Sequence, residues 1–184
     1  MTDEIIDIFD EKEKKIGQRP KSQAHKQGLW HRSAHIWIYN SKGQILLQKR
    51  SKTKDLYPGK WDISAAGHVS LGHTPEECAI KEIYEEIGIK IKPTQLAFLK
   101  IHVSQTKIPK LGWQNNEFCY LYLLKLDLPL TKFKFIDGEV EKIKFLDAKI
   151  FEKKLKDPKK KKKCVPHEYY PFIIESVRKA LRNN

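Results

Sequence analysis

The stretch Gly67-His68-Val69-Ser70-Leu71-Gly72-His73-Thr74-Pro75-Glu76-Glu77-Cys78-Ala79-Ile80-Lys81-Glu82-Ile83-Tyr84-Glu85-Glu86-Ile87-Gly88-Ile89 is the most informative part of this 184-residue chain. Thr74-Pro75-Glu76-Glu77 reads as a helix start. Threonine suits the N-cap, proline the first helical position, and a glutamate three residues after the cap can reach back to it. Gly88 reads as the stop, because glycine enters the left-handed conformation that closes a helix. Inside the helix, Ile80, Ile83 and Ile87 share one face, while Glu82, Glu85 and Glu86 share another. Three carboxylates on one face are common on solvated helices.

Working outward, Ile5, Ile6, Ile8 and Phe9, then charged residues and Ile16-Gly17, predict an N-terminal hairpin within residues 3–19. A short helix over Ser22 to Gln27, closed by Gly28, precedes a strand from His31 to Tyr39. Ser41-Lys42-Gly43 turns the chain into a second apolar run at Ile45 to Leu47, and Lys49 to Lys60, with Pro58-Gly59, reads as an exposed basic loop. Further strands are predicted at Leu96 to Val103, Phe118 to Leu126 and Val140 to Phe145, and helices at Asp147 to Leu155 and Glu168 to Leu181. Strands that alternate irregularly with few helices predict an α+β fold, a mixed β-sheet sandwiched between helices, and not a doubly wound sheet.

Composition sets the outer bounds. The length suits one domain with an appendage, and 40% hydrophobic residues support a packed core. The expected division is a domain over residues 1–150 and a basic helical extension over residues 151–184. That extension holds 11 basic and four acidic residues, so it carries more than half of the +13 net charge. Its five consecutive lysines, Lys159 to Lys163, read as a self-repelling solvated loop, and without interleaved aromatics they make a nucleic-acid partner an unfavoured expectation. Three cysteines without metal-ligand pairing, an acidic start and no apolar run of bilayer length are the pattern of a reducing cytoplasm and exclude a membrane span.

The quoted stretch resembles the Nudix box, G-x5-E-x7-R-E-U-x-E-E-x-G-U with U aliphatic. Gly67, Glu82, Ile83, Glu85, Glu86, Gly88 and Ile89 fill seven of its nine positions; His73 stands where the family has Glu, and Lys81 where it has Arg. The resemblance implies a Mg2+ or Mn2+ ion held by Glu82, Glu85 and Glu86 with the Gly67 carbonyl, and hydrolysis of a diphosphate in a small-molecule substrate. Glu86 and Glu139 are then the candidate catalytic residues, Asp137 sharing the position of Glu139 just before a strand that follows the box.

Outside the box, Ala24-His25, His31, Leu47-Gln48-Lys49-Arg50-Ser51, Pro58-Gly59-Lys60-Trp61 and Gly67-His68 resemble the isopentenyl-diphosphate isomerase branch of the same superfamily. That branch implies a second metal site from His25, His31, His68 and Glu117, with Asn115 replacing one of its carboxylates. Arg50 and Lys54 would match its diphosphate contacts, and Arg32 and Lys52 join them as candidate diphosphate-binding cations. The branch takes a proton-transfer group from a cysteine where this chain has Ala66, and a methyl moves no proton. Three functions stay open: a Nudix-type hydrolase cleaving a nucleoside diphosphate linked to another group, an isomerase with a relocated proton donor such as Cys119, and a non-catalytic binding protein on the same scaffold.

Overall fold

The computed structural model describes residues 3–136 and 138–183. Its elements are β1 (Ile5–Phe9), β2 (Lys15–Pro20), α1 (Lys21–Gln27), β3 (Trp30–Tyr39), β4 (Gln44–Arg50), β5 (Trp61–Asp62), β6 (Ala65–His68), α2 (Pro75–Ile87), β7 (Leu96–Ile108), β8 (Trp113–Lys125), β9 (Val140–Asp147), α3 (Ala148–Lys156), α4 (Pro158–Lys161) and α5 (Tyr170–Arg182). The nine strands form one mixed sheet. Its centre is β3, which runs parallel to β8 from Trp30↔Asn116 to Tyr39↔Lys125 and antiparallel to β6 from Ser33↔His68 to Ile36↔Ala65. The N-terminal hairpin forms from β1 and β2.

Because successive strand side chains point to opposite faces, β3 is apolar on both. Ala34, Ile36 and Ile38 meet Ala79, Ile83 and Ile87 of α2 in one core layer. Trp37 and Tyr39 meet Phe151 of α3 and Tyr170, Ile173, Ile174 and Val177 of α5 in the other. Residues 151–184, expected as an appendage, thus supply large side chains to the same sheet.

The α2 ends match the sequence reading: Thr74 Oγ1 accepts from the Glu77 amide at 3.2 Å, the Glu77 carboxylate accepts from the Thr74 amide at 2.8 Å, and Gly88 is left-handed at φ 72°. The apolar stripe is shifted, because Ile80 is only half-buried and Ala79 takes the core position beside Ile83. Both long strands outrun their expected starts or ends, β7 continuing to Ile108 and β8 beginning at Trp113, because the two pair with each other over that whole length. The lysine run is a correction too. Lys159 to Lys161 lie in the single turn of α4, where Asp157 caps the Lys159 and Lys160 amides and Pro158 occupies the first turn, so the run is exposed but not wholly loop.

The segment between α4 and α5 is latched to the sheet. Trp61 donates its amide to the Lys163 carbonyl and accepts from Val165, both at 2.9 Å. His167 Nε2 bonds Asp62 Oδ1 at 2.8 Å, and Arg50 Nη1 donates to Asp62 Oδ2 at 2.9 Å. Burial alone would raise the Asp62 carboxyl; the His167 hydrogen bond and charge, then Arg50, override it and hold the group well below its usual 3.8.

Two outcomes follow from this packing. Thr74→Ala removes the α2 cap and should cost about 1 kcal/mol, read as a lowered urea midpoint with unchanged slope. The depressed Asp62 acid contributes stability that is full above its ordinary pKa, begins to fall below it, and is gone only once pH drops through the lower folded value. Asp62→Asn should therefore be clearly less stable than the parent at pH 7, and the gap should narrow at pH 3; an equal gap at both pH values contradicts the latch.

Candidate functional site

A cleft of about 360 Å³ opens where β6 meets α2, with Lys81, Glu82 and Glu85 on one side and Arg50, Lys54 and Glu139 among its other walls. Gly67 is there because nothing larger fits: a Cβ on it would lie 2.1 Å from Glu82 Cδ, so the bare backbone lets the carboxylate lie flat against β6. The Gly67 carbonyl, expected as a metal ligand, is approached by Cys78 Sγ at 3.7 Å, a contact longer than the 3.2 Å that thiol makes to the His68 carbonyl. Glu86 lies beneath, only 2% exposed, with Oε2 accepting from Gln48 Nε2 and the Ala66 amide, both at 3.0 Å.

The acids raise one another. Burial, then Glu85, Glu139 and Glu4, push the Glu82 carboxyl up to about 7 against the opposing pull of Lys81. Burial and the Glu82 charge push Glu86 well above the usual range. Lys81 Nζ holds Glu85 at 2.8 Å and reaches Glu82 at 3.8 Å, so the lysine in the family's arginine position keeps the link to both carboxylates. His73 is exposed on the loop before α2.

Of the four expected diphosphate cations, two line the cleft. Lys54 pairs with Glu139, and Arg50 also donates Nε to the Leu56 carbonyl at 2.9 Å. Lys52 is exposed and is not part of the wall. Arg32 is elsewhere: it bonds Glu13 at 2.7 Å and lies over the Phe9 ring at 4.2 Å, because on β3 it points away from the face carrying His31 and Ser33. Asp137 lies outside the described residues.

The second expected group assembles tightly. Ligand atoms of His25, His31 and His68 all come within 4.8 Å of one another. His25 Nε2 is 3.1 Å from His68 Nε2, and Glu117 Oε1 is 3.8 Å from both His31 and His68 Nε2. The Gly28 C-cap and the two strands β3 and β6 bring the three rings together, and the Leu29 carbonyl fixes His31 through Nδ1 at 2.9 Å. His31 Nε2 and Asn115 Oδ1 are buried without a partner. Burial pushes His25 down to about 4, aided by His31, and pushes His68 lower than its ordinary value as well, so both rings are neutral and able to bind a cation. Trp113 packs on His25, with ring centroids 5.0 Å apart, as a wall of this cluster.

The sequence reading missed the opposite wall. Asp62 and His167 both line the cleft, and His35 beside them shares a 2.5 Å hydrogen bond with the Tyr169 hydroxyl. Burial pushes His35 down to about 4. His35, Glu117 and Cys119 form the other compact group of ligand atoms among the described residues. Cys119 is 1% exposed, and burial followed by the Glu117 charge pushes its thiol well up, so it carries its proton. The only local hint was Trp61-Asp62 directly after Pro58-Gly59-Lys60.

With this geometry in view, comparison with known proteins is direct. The NUDIX domain family model matches residues 29–167. An uncharacterized Nudix hydrolase of Clostridium acetobutylicum is 33% identical over 143 residues, covering 76% of this chain and 68% of the relative. An isopentenyl-diphosphate Delta-isomerase of Salmonella heidelberg is 33% identical over 123 residues, covering 66% of this chain and 67% of that protein. A crystal structure from Deinococcus radiodurans superposes with a TM-score of 0.67 at 21% identity, over 96% of this chain and 98% of the other, which supports the fold. No helix among the described residues is long and apolar enough to cross a membrane. The box glutamates on α2, the mixed sheet behind them and these matches agree: the chain belongs to the Nudix family.

Proposed function

We propose that the chain is a divalent-metal-dependent hydrolase that cleaves the diphosphate bridge of a nucleoside diphosphate linked to a second group, by attack of water on phosphorus. The observation that carries this reading is one cleft with Glu82, Glu85 and Glu139 facing Arg50 and Lys54, and the buried Glu86 beneath it. The α2 and Glu139 donors are carboxylate oxygens, Glu82 raised by burial and its acidic neighbours and Glu86 by burial and Glu82, which suits a hard cation such as Mg2+ or Mn2+ on that side of a cleft whose other side carries His25 and His68. When bound, such an ion neutralises phosphate charge and lowers the pKa of a water.

The chain's own groups do the rest. Lys54 and Arg50 are the wall cations available to the diphosphate oxygens, Lys54 after parting from Glu139. Glu139 then accepts the proton of the attacking water as a phosphorus–oxygen bond forms and the bridging phosphorus–oxygen bond breaks. Gln48 and the Ala66 amide fix the Glu86 carboxylate so that it enters the site from one direction.

A second reading has a specific observation behind it. The nitrogen-rich group of His25, His31, His68 and Glu117 is the more compact donor set and suits a transition-metal ion, as in an isomerase of the related branch. Ala66 offers no proton there, whereas Cys119 is a protonated thiol beside Glu117.

Purified protein with Mg2+ and a panel of nucleotide and isoprenoid diphosphates separates the readings when diphosphate cleavage products and allylic isomer are followed independently. Nucleoside monophosphate and the phosphorylated second group are expected from a nucleoside diphosphate derivative; isomer without diphosphate cleavage overturns it. Glu86→Gln should lower kcat by roughly 100-fold or more and weaken Mn2+ binding, and full activity in that variant sinks the assignment. His31→Ala should abolish binding of one transition-metal equivalent while leaving Mg2+-supported hydrolysis within about threefold, well under the size of a lost acid–base group.

A further inference from the structure

A second cleft, of about 220 Å³, lies on the α3 side of the sheet. Along β9, Ile143 and Phe145 pack toward α2, so Lys144 and Leu146 face the layer built from α3 and α5. An apolar side chain would suit the position of Lys144; the chain places an ammonium there instead, 3.3 Å from the centroid of the Trp61 ring. Lys154 from α3, Lys160 from α4 and Lys163 complete four cations over a floor that includes Trp61 and Phe151. No acidic side chain among the described residues lines this cleft. Among the described residues, Lys144, Lys154 and Lys163 form no ion pair with a carboxylate, and Lys160 pairs only with Asp157 at 3.1 Å.

Four like charges around one apolar hollow repel each other, and Lys144 and Lys154 are half-buried as well, a cost that a bound anion would offset. Burial, followed by the Lys154 charge, pushes Lys144 down to about 8, which is the mark of an ammonium short of counter-charge. The walls are also fixed in advance, since Trp61 is bonded through its amide and carbonyl to Lys163 and Val165 at 2.9 Å.

We propose that this cleft binds a small polyphosphate anion, a diphosphate or triphosphate group held by Lys144, Lys154, Lys160 and Lys163 above Trp61, at a site separate from the hydrolytic cleft. Its volume, below the roughly 300 Å³ lower limit of pockets that enclose whole drug-sized ligands, suits the phosphate chain and leaves any attached nucleoside outside. A nucleic acid needs an extended basic track with stacking aromatics. Here the cations converge on one hollow, and Lys159, Lys161 and Lys162 of the same run lie outside it.

Inorganic tripolyphosphate in EDTA at pH 7 and low salt is the test, by equilibrium dialysis with tryptophan emission followed in parallel. Without divalent ions the hydrolytic cleft offers the probe no metal bridge, and Lys54→Gln, which removes a cation from that cleft alone, should leave the affinity within about twofold, which keeps the outcome distinct from the hydrolase reading. One equivalent per chain is expected. Lys144→Gln with Lys154→Gln should weaken binding by more than about tenfold, given the strength of hydrogen bonds to charged groups. Lys160→Gln, an exposed change that leaves the fold alone, should weaken it several-fold, and Lys154→Arg should retain it. Changing Lys159, Lys161 and Lys162 together to Ser should leave it within about twofold, as screened distant charges do. Absence of binding in the parent, equal losses from the lysines outside the cleft, unchanged affinity in Lys160→Gln, or displacement by an oligonucleotide at lower phosphate concentration would each overturn the proposal. Adenosine triphosphate and free tripolyphosphate run side by side tell whether a nucleoside on the phosphate chain matters.

Discussion

A carboxylate that is almost cut off from water, Glu86, joins three elements. Its backbone belongs to α2, one hydrogen bond comes from Gln48 on β4, and another from the Ala66 amide on β6. An unpaired buried charge is expensive, so the arrangement is tolerable only if the group takes a proton or gains a cation, and its raised pKa expresses that preference. The same geometry fixes the rest of the site. Once Glu86 is tied to β6, Glu82 one turn earlier comes down on Gly67, and the absence of a Cβ there becomes obligatory. Glu85, on the outer side, is left to Lys81.

The central strand extends this order through the molecule. With β3 apolar on both faces, α2 covers one side and α3 with α5 the other, so the cleft edge lies between two layers that cannot slide independently. Polar groups at the strand's beginning, His31, Ser33 and His35, occur where the two apolar layers give way to the cleft. The sheet is therefore a core at one end and a site at the other.

How much of this could be read from residues alone depended on distance along the chain. The α2 caps, its stop at Gly88 and the row of glutamates are local, and spacing was enough to find them. The hairpin of β1 and β2 was legible for the same reason. The Asp62–His167 contact joins residues 105 positions apart, and His35–Tyr169 joins residues 134 apart, so no local pattern marks either. Arg32 shows what strand alternation adds: it sits on the face opposite His31 and Ser33, where Glu13 and Phe9 receive it. Lys144 obeys the alternation of Lys142-Ile143-Lys144-Phe145 in β9 and so reads as a solvated position, with no signal to the contrary until the covering helix is in place.

The latch between the sheet and the segment around His167 also bears on how the protein comes into being. A chain emerging from the ribosome completes the box, the histidine group and most of the sheet well before residues 165–169 are available to close the wall beside Asp62. Until they arrive, Asp62 has Arg50 but not His167, and the core layer that receives Phe151 and Ile173 stands open. The nascent protein is therefore exposed to solvent and to chaperones on that side, and the wall beside Asp62 closes only after residues 165–169 have followed the sheet out.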